Sequence, residues 1–344
     1  EQPVLKSDVE VNEFKLNGQR FGKICLHSQF HAEEGRLGLN LNVENQSKYF
    51  VGNTIDISGD YFPKKNGAID LKAKFNNLKL GFLERYFDGV FSDFKQGKTS
   101  GDFDVKGTLK APELYGELKL DQMNLKIDYL NVSYAVNGEY LHFDNDKIFF
   151  KDFKLTHNKY TKSKILVNGA VFHTGFKNIS YKMDSVRLHD LFCLNTTIDE
   201  NSAYYGSAFV DGLLQVEGNG KINAISGAIS TVPYEDKLSK GTTKLNLPLS
   251  EVGELEVSDF IHFVDLSKQE DKKEERDDKL DLSGLSLDFN FLINEEATAK
   301  IIFDPKVGDE IQVNGNGNIS MKINSEGNFL MSGKYTIEEG KYFF

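Results

Sequence analysis

The sequence predicts an all-β fold, an elongated antiparallel meander with at most one or two short helices, on three observations. The first is a strict alternation near the end of the chain. From Ile311 to Ile323 every odd position is apolar or glycine (Ile311, Val313, Gly315, Gly317, Ile319, Met321, Ile323), and every even position is polar. After Asn324-Ser325-Glu326-Gly327 the phase resumes with Phe329, Met331, Gly333, Tyr335 and Ile337, with Leu330 the one breach. A side-chain period of two means extended strands with one dry and one wet face, and the polar cluster between the runs predicts a hairpin. The second observation is length: the first run would extend ~44 Å at ~3.4 Å per residue, against ~17–20 Å for an ordinary strand. The third is composition. With 27 Phe, 30 Gly, no Trp, six Pro and 39% hydrophobic residues among 344, the chain reads as folded and sheet-rich.

The same alternation recurs along the chain. It runs through Leu37–Val43, through Ile55, Ile57, Gly59 and Tyr61, and through Ile69–Phe75. Leu80, Leu83, Phe87, Val90 or Phe91, and Phe94 then recur at three- and four-residue spacing. This predicts a short amphipathic helix near 77–94, capped by Asn76-Asn77 and ended by Gly97. Strands return at Phe103–Leu109, and Ala111-Pro112-Glu113 is expected to break the ladder. Leu114, Gly116, Leu118 and Leu120 follow, then Met123, Leu125, Ile127 and Tyr129. Asp144-Asn145-Asp146 reads as a turn. Further strand faces are Ile148/Phe150, Phe153/Leu155, Ile165–Val171, Ala208–Val216 and Leu285–Ile293. At ~12 residues per strand and turn, roughly 28 strands would stack to ~130 Å. Their apolar faces need a cover. A second sheet, a barrel with lipid outside, or an in-curved groove holding an apolar guest would each serve.

Charge and chemistry exclude several function classes. A net charge of −11 argues against a nucleic-acid surface. No window approaches ~18 apolar residues, so no helix is expected to span a membrane. Glu1 is preceded by no Met, basic segment or apolar leader, which reads as a fragment or mature product. From Lys268 to Lys279 every residue but Gln269 is charged, as expected of a solvated loop. His27 and His31 stand ~13 Å apart in a strand, too far for one zinc ion. Cys25 and Cys193 fit no redox or metal spacing. Asp144-Asn145-Asp146 lacks the Gly and Glu of a calcium loop, and Asp304, Asp309 and Glu310 read as turn residues beside Pro305 and Gly308. No nucleophile, phosphate-loop or metalloprotease motif is present. The expectation is no catalytic residue, no cofactor and no metal.

Several passages resemble the C-terminal region of the TamB family, in its Bacteroidetes form, akin to AsmA-like lipid-transfer proteins. They are Phe192–Thr196 with Asp199-Glu200-Asn201 and Tyr204–Ala208, leading into Gly212 and Gly218, and Leu245–Leu249. Asp304-Pro305, Gly308-Asp309, Gly315-Asn316-Gly317 and Gly327 through Gly340-Lys341-Tyr342 follow in the family's order. The match covers about residues 100–344, and residues 1–99 by pattern only; Cys193 departs from the family pattern. The resemblance implies a β-taco, a long curved sheet with an apolar inner face, here divided into an N-terminal groove segment (1–99) and a C-terminal unit (100–344). It implies a periplasmic protein anchored to the inner membrane by a segment missing from this chain. Its guest would be phospholipid in transit to the outer membrane, and its partner an Omp85-type, TamA-like barrel, with outer-membrane protein assembly a possible further role. On this reading Phe103, Val105, Leu109, Leu118, Leu120, Leu125, Ile127, Phe289, Phe291, Ile311, Val313, Ile319, Met321, Ile323, Phe329, Met331, Tyr335 and Ile337 line the groove. An outer-membrane β-barrel, with Tyr342-Phe343-Phe344 as its terminal aromatics, and a closed β-sandwich remain the alternatives.

Overall fold

A computed structural model describes residues 5–16, 19–44, 53–82, 91–93, 96–175, 177–200, 204–219, 221–248, 284–304, 307–324 and 329–344. The charged run at 268–279 lies outside them. Among the described residues alternating sequence becomes strand almost everywhere: they form 23 strands, 21 of them in one sheet.

The sheet is best followed rung by rung. β1 (Leu5–Leu16), β2 (Gln19–His31), β3 (Arg36–Glu44), β4 (Asn53–Phe62) and β5 (Ala68–Lys79) pair in sequence, all antiparallel. β6 (Phe91–Ser92) and β7 (Lys98–Thr108) share the next rung, pairing with β9 (Met123–Ile127) and β8 (Ala111–Asp121) respectively. β8 and β9 form one interrupted strand. It pairs throughout its length with β11 (Glu139–Asn145) and β10 (Val132–Val136); Gln122 (φ 53°) separates its two halves, and a 3-10 turn at Asp128–Leu130 links β9 to β10. β12 (Lys147–Thr156), β13 (Lys164–Thr174), β14 (Lys177–Thr196) and β15 (Tyr205–Gly218) continue the meander.

The following two rungs are each built from two short strands laid end to end. β16 (Asn223–Thr231) and β19 (Lys244–Pro248) both pair with β15. β20 (Leu285–Ile293) and β21 (Thr298–Asp304) pair with them in parallel. β17 (Tyr234–Glu235) and β18 (Lys240–Gly241) form a separate small hairpin between β16 and β19. β22 (Asp309–Ile323) then spans both β20 and β21, and β23 (Phe329–Phe343) ends the sheet.

The described residues thus make sixteen rungs, whose fifteen spacings of ~4.8 Å add to ~72 Å. That is little more than half the expected stack. Strands reach 20 residues in β14, and several rungs consume two strands. Among the described residues no pairing joins β1 to β23, and both are edge strands of the described sheet.

Three further expectations are corrected. Asn76 and Asn77 do not cap a helix. They lie in β5, where Asn77 (φ 50°) sits at a register shift, and Phe91–Ser92 is strand; residues 83–90 of the expected helix lie outside the described residues. Pro112 does not break the ladder, because it is the second residue of β8, opposite Gly107, where a missing N–H is tolerated. Leu109 falls in the turn between β7 and β8, at 66% exposure, and is removed from the groove lining. A turn residue has no rung neighbours to pack against.

Candidate functional site

Residues directly opposite in neighbouring strands share a face, so registers trace each face across the sheet. One row runs Val9, Leu26, Leu41, Ile57, Ala73, Phe103, Gly116, Phe143, Ile148, Val171, Tyr181. Another runs Leu155, Ile165, Leu188, Gly212, Ile229, Phe291, Ile319, Gly333. No member of either row is charged. The opposite face reads Asp8, His27, Asn40, Ser58, Lys72, Asp104, Tyr115, Asp144, Lys147.

The outer face pairs its polar groups across the strands. His27 bonds Asp8 at 2.6 Å, His142 bonds Glu117 at 2.8 Å and Lys322 pairs with Asp288 at 2.9 Å, each directly across a strand pair. Such exposed pairs contribute ~0.2–1 kcal/mol each. Their larger effect is to keep the outer face wet and so fix the register.

The apolar face is concave. Tyr134, on that face opposite Leu125, donates its hydroxyl to Phe192 O at 2.7 Å. Asn131 at the tip of the β9–β10 hairpin donates to Asn195 O at 2.9 Å. β10 and β14 lie three rungs apart, ~14 Å in a flat sheet. A single side chain closes that gap only if the sheet curls toward its apolar side.

Curling crowds the inner face, and glycine relieves the crowding. Gly116 lies between Phe103 and Phe143, whose rings meet edge to face at 5.0 Å. A Cβ there would stand 2.2 Å from Asp102 O. Gly315, read from sequence as a clearance for something approaching the sheet, is approached by the protein itself: its Cβ would stand 2.0 Å from Thr336 O.

Burial along the inner face is uneven. The central rungs are packed solid, with Leu120, Met123, Val132, Tyr134, Val136, Phe153, Leu155, Ile165 and Leu188 all below 9% exposure in one cluster. Beside them Phe192, Phe209, Tyr160 and Tyr234 stack ring on ring, with Phe192 and Phe209 centroids 4.9 Å apart. The sequence carried a signal for this seal, in the doublets Leu191-Phe192 and Phe209-Val210. Consecutive apolar residues break the alternation where both neighbours are buried.

Toward the two ends the inner face opens. Val9 and Val11 of β1 are 46% and 43% exposed, and Met331 and Ile337 of β23 are 60% and 57% exposed. Apart from Leu109, the eighteen expected groove residues occupy this one face. Phe103, Leu120, Val313 and Ile323 are buried, while Val105, Leu118, Leu125, Ile127, Phe289, Phe291, Ile311, Ile319, Met321 and Tyr335 are half-buried. Phe329 stands opposite Ile323 in the register. Leu330, out of phase in the sequence, lies on the outer face opposite Lys322, 62% exposed.

His157 latches the seal. Its Nδ1 accepts N–H bonds from Lys159 and Tyr160, both at 3.1 Å, so the ring is neutral. Burial, and then the nearby Lys159 charge, lower its pKa from 6.5. A histidine with a lowered folded pKa contributes stability above its unfolded pKa and loses it as pH falls. The melting temperature is therefore expected to be lower at pH 5 than at pH 7, by less in His157→Phe. Equal pH dependence in both proteins contradicts the latch.

Cys25 and Cys193 are both free thiols. Cys193 packs against the central cluster, and burial pushes its thiol up to about 12. Among the described residues no group of three His, Cys, Asp or Glu is placed to hold a metal ion. No helix among them is long and apolar enough to cross a membrane.

A curled, mostly antiparallel sheet with a charged outer face and an inner face free of charge along the traced rows defines a β-groove protein. The TamB C-terminal domain matches residues 46–163 and 153–344, and the chain belongs to the TamB family of cell-envelope proteins. Comparisons with curated proteins and with solved structures gave no significant match.

Proposed function

We propose that the inner face holds phospholipid acyl chains and conducts them between the inner and outer membranes. The observation that supports this reading is one apolar face carried without a charged residue along the traced rows and opening at both terminal strands. A 16-carbon chain leaving a bilayer loses ~0.8 kcal/mol per CH₂, or ~12 kcal/mol in all. A trough of aliphatic and Phe side chains recovers most of this while the headgroup stays in water. The role requires no bond making or breaking, and no residue is assigned to catalysis. The full-length protein would be held at the inner membrane by an anchor outside this chain and would meet a TamA-like, Omp85-type barrel at the outer membrane. Assistance to outer-membrane protein assembly would follow from the same partnership.

The packed central cluster refines the picture. Lipid would occupy the inner face where it is half-buried, and the solid section would serve as a wall. Purification without detergent, followed by solvent extraction and mass spectrometry, should recover phospholipid from the chain. A folded chain that carries no lipid after expression in a bacterial envelope contradicts the proposal. A chain that stays dispersed only in detergent favours the barrel.

A further inference from the structure

We propose that the β17–β18 hairpin is a membrane-docking finger that sets Leu238 and its neighbouring lysines on an anionic phospholipid surface. Its base is fixed in the protein. Tyr234, 1% exposed, stacks on Phe209 with centroids 5.2 Å apart and meets Tyr160 edge-on at 5.0 Å.

The tip is equally fixed. Asp236 accepts from the backbone N–H groups of Leu238 (2.8 Å) and Ser239 (2.7 Å), and from the hydroxyls of Thr161 (3.0 Å) and Tyr234. Its own N–H donates to Ser239 O at 2.9 Å. The turn so held presents Leu238 at 84% exposure, exceeded among the large hydrophobic side chains of the described residues only by Phe344 at 97%. A mobile loop can hide a leucine; this turn holds one out in water.

Cations surround it. Lys237 and Lys240 lie on the finger, and Lys159 and Lys162 on the adjoining β12–β13 loop, all exposed. Lys162 Nζ donates to Glu235 O at 2.7 Å, which ties the loop to the finger. Two carboxylates oppose these four cations: Glu235 pairs with Lys240 at 2.6 Å, and Asp236 is committed to the turn. In a chain of net charge −11, this is a local excess of positive charge.

The combination fits a lipid surface better than a protein. A short finger offers too little area for a stable protein interface. One apolar tip among lysines matches a soft anionic surface, where the leucine enters the acyl boundary and each lysine meets phosphate. The finger also stands beside the sealed section, since Tyr234 at its base belongs to the central cluster.

Sedimentation of the purified chain with vesicles tests this. The chain should bind vesicles containing phosphatidylglycerol, bind phosphatidylcholine vesicles far more weakly, and lose binding as salt rises. Leu238→Ser should weaken binding about ten-fold, and Lys159→Gln or Lys237→Gln about five-fold each. All three variants should melt with the parent, since these side chains are exposed. Leu109→Ser, at an exposed turn leucine outside the groove, should leave vesicle binding unchanged, which separates the finger from exposed leucines in general. Absence of vesicle binding by the parent chain, or parent-like binding by Leu238→Ser, overturns the proposal. A photo-crosslinker at Leu238 that captures protein and no lipid also overturns it, in favour of a protein partner.

Discussion

Val136→Asp should abolish cooperative unfolding of the central section and lower the melting temperature far more than any surface change. Val136 is 0% exposed, stands opposite Met123 in the β9–β10 hairpin, and belongs to the cluster that closes the curl. Its removal alone, as Val136→Ala, should cost about 2 kcal/mol in lost burial and residual cavity. An aspartate there adds the desolvation of an unpaired carboxylate, at least several kcal/mol. The sum rivals the ~5–15 kcal/mol net stability of an ordinary domain. Partial recovery at low pH, where the carboxyl is neutral, would identify the charge as the cause. A melting temperature within a few degrees of the parent's would mean that the central cluster is not packed as described.

Gly116→Val should be nearly as damaging, for a different reason. Gly116 adopts φ 154°, and its Cβ would stand 2.2 Å from Asp102 O and 3.0 Å from the Phe103 ring. Backbone strain of ~1–3 kcal/mol adds to overpacking of similar size, so a loss of roughly 3–5 kcal/mol is expected on denaturant unfolding. Gly116→Ala should lose most of that, because the first carbon already meets the β7 backbone. A strand glycine with no such close contact would gain about 0.5–1 kcal/mol on replacement by alanine, and that outcome would contradict the curvature argument.

Much of this architecture was legible in sequence. A period of two depends only on which side of a pleat each residue occupies, so Ile311–Ile323 and Ile69–Phe75 announced their faces without tertiary context. The pairing of the last two long strands followed from the polar turn at Asn324. What remained hidden depends on partners distant in the chain. Nothing local in Asn223–Thr231 or Leu285–Ile293 states that these strands run parallel and share their rungs with β19 and β21. The spacing of Leu80, Leu83 and Phe87 read as a helix, yet Leu80 is held by an N–H bond to Gly97 O and packs in the central cluster. The site was legible as a face and not as a depth. Leu120 and Met331 share a phase, but one is 6% and the other 60% exposed, because one lies within the curl and the other on an end strand. The seal at Tyr134, Phe192, Phe209 and Tyr234 joins four strands, and only the doublets hinted at it.

The groove itself is tested most directly by what its two faces touch. A photo-crosslinking residue placed at Met331 or Ile337, exposed on the inner face of β23, should capture phospholipid in cells. Placed at Leu330 or Ser332, exposed on the outer face of the same strand, it should capture none, although Leu330 is as apolar and as accessible as Met331. Lipid from the inner positions alone is the result that the groove predicts. Equal capture from both faces, or capture from neither, would contradict it.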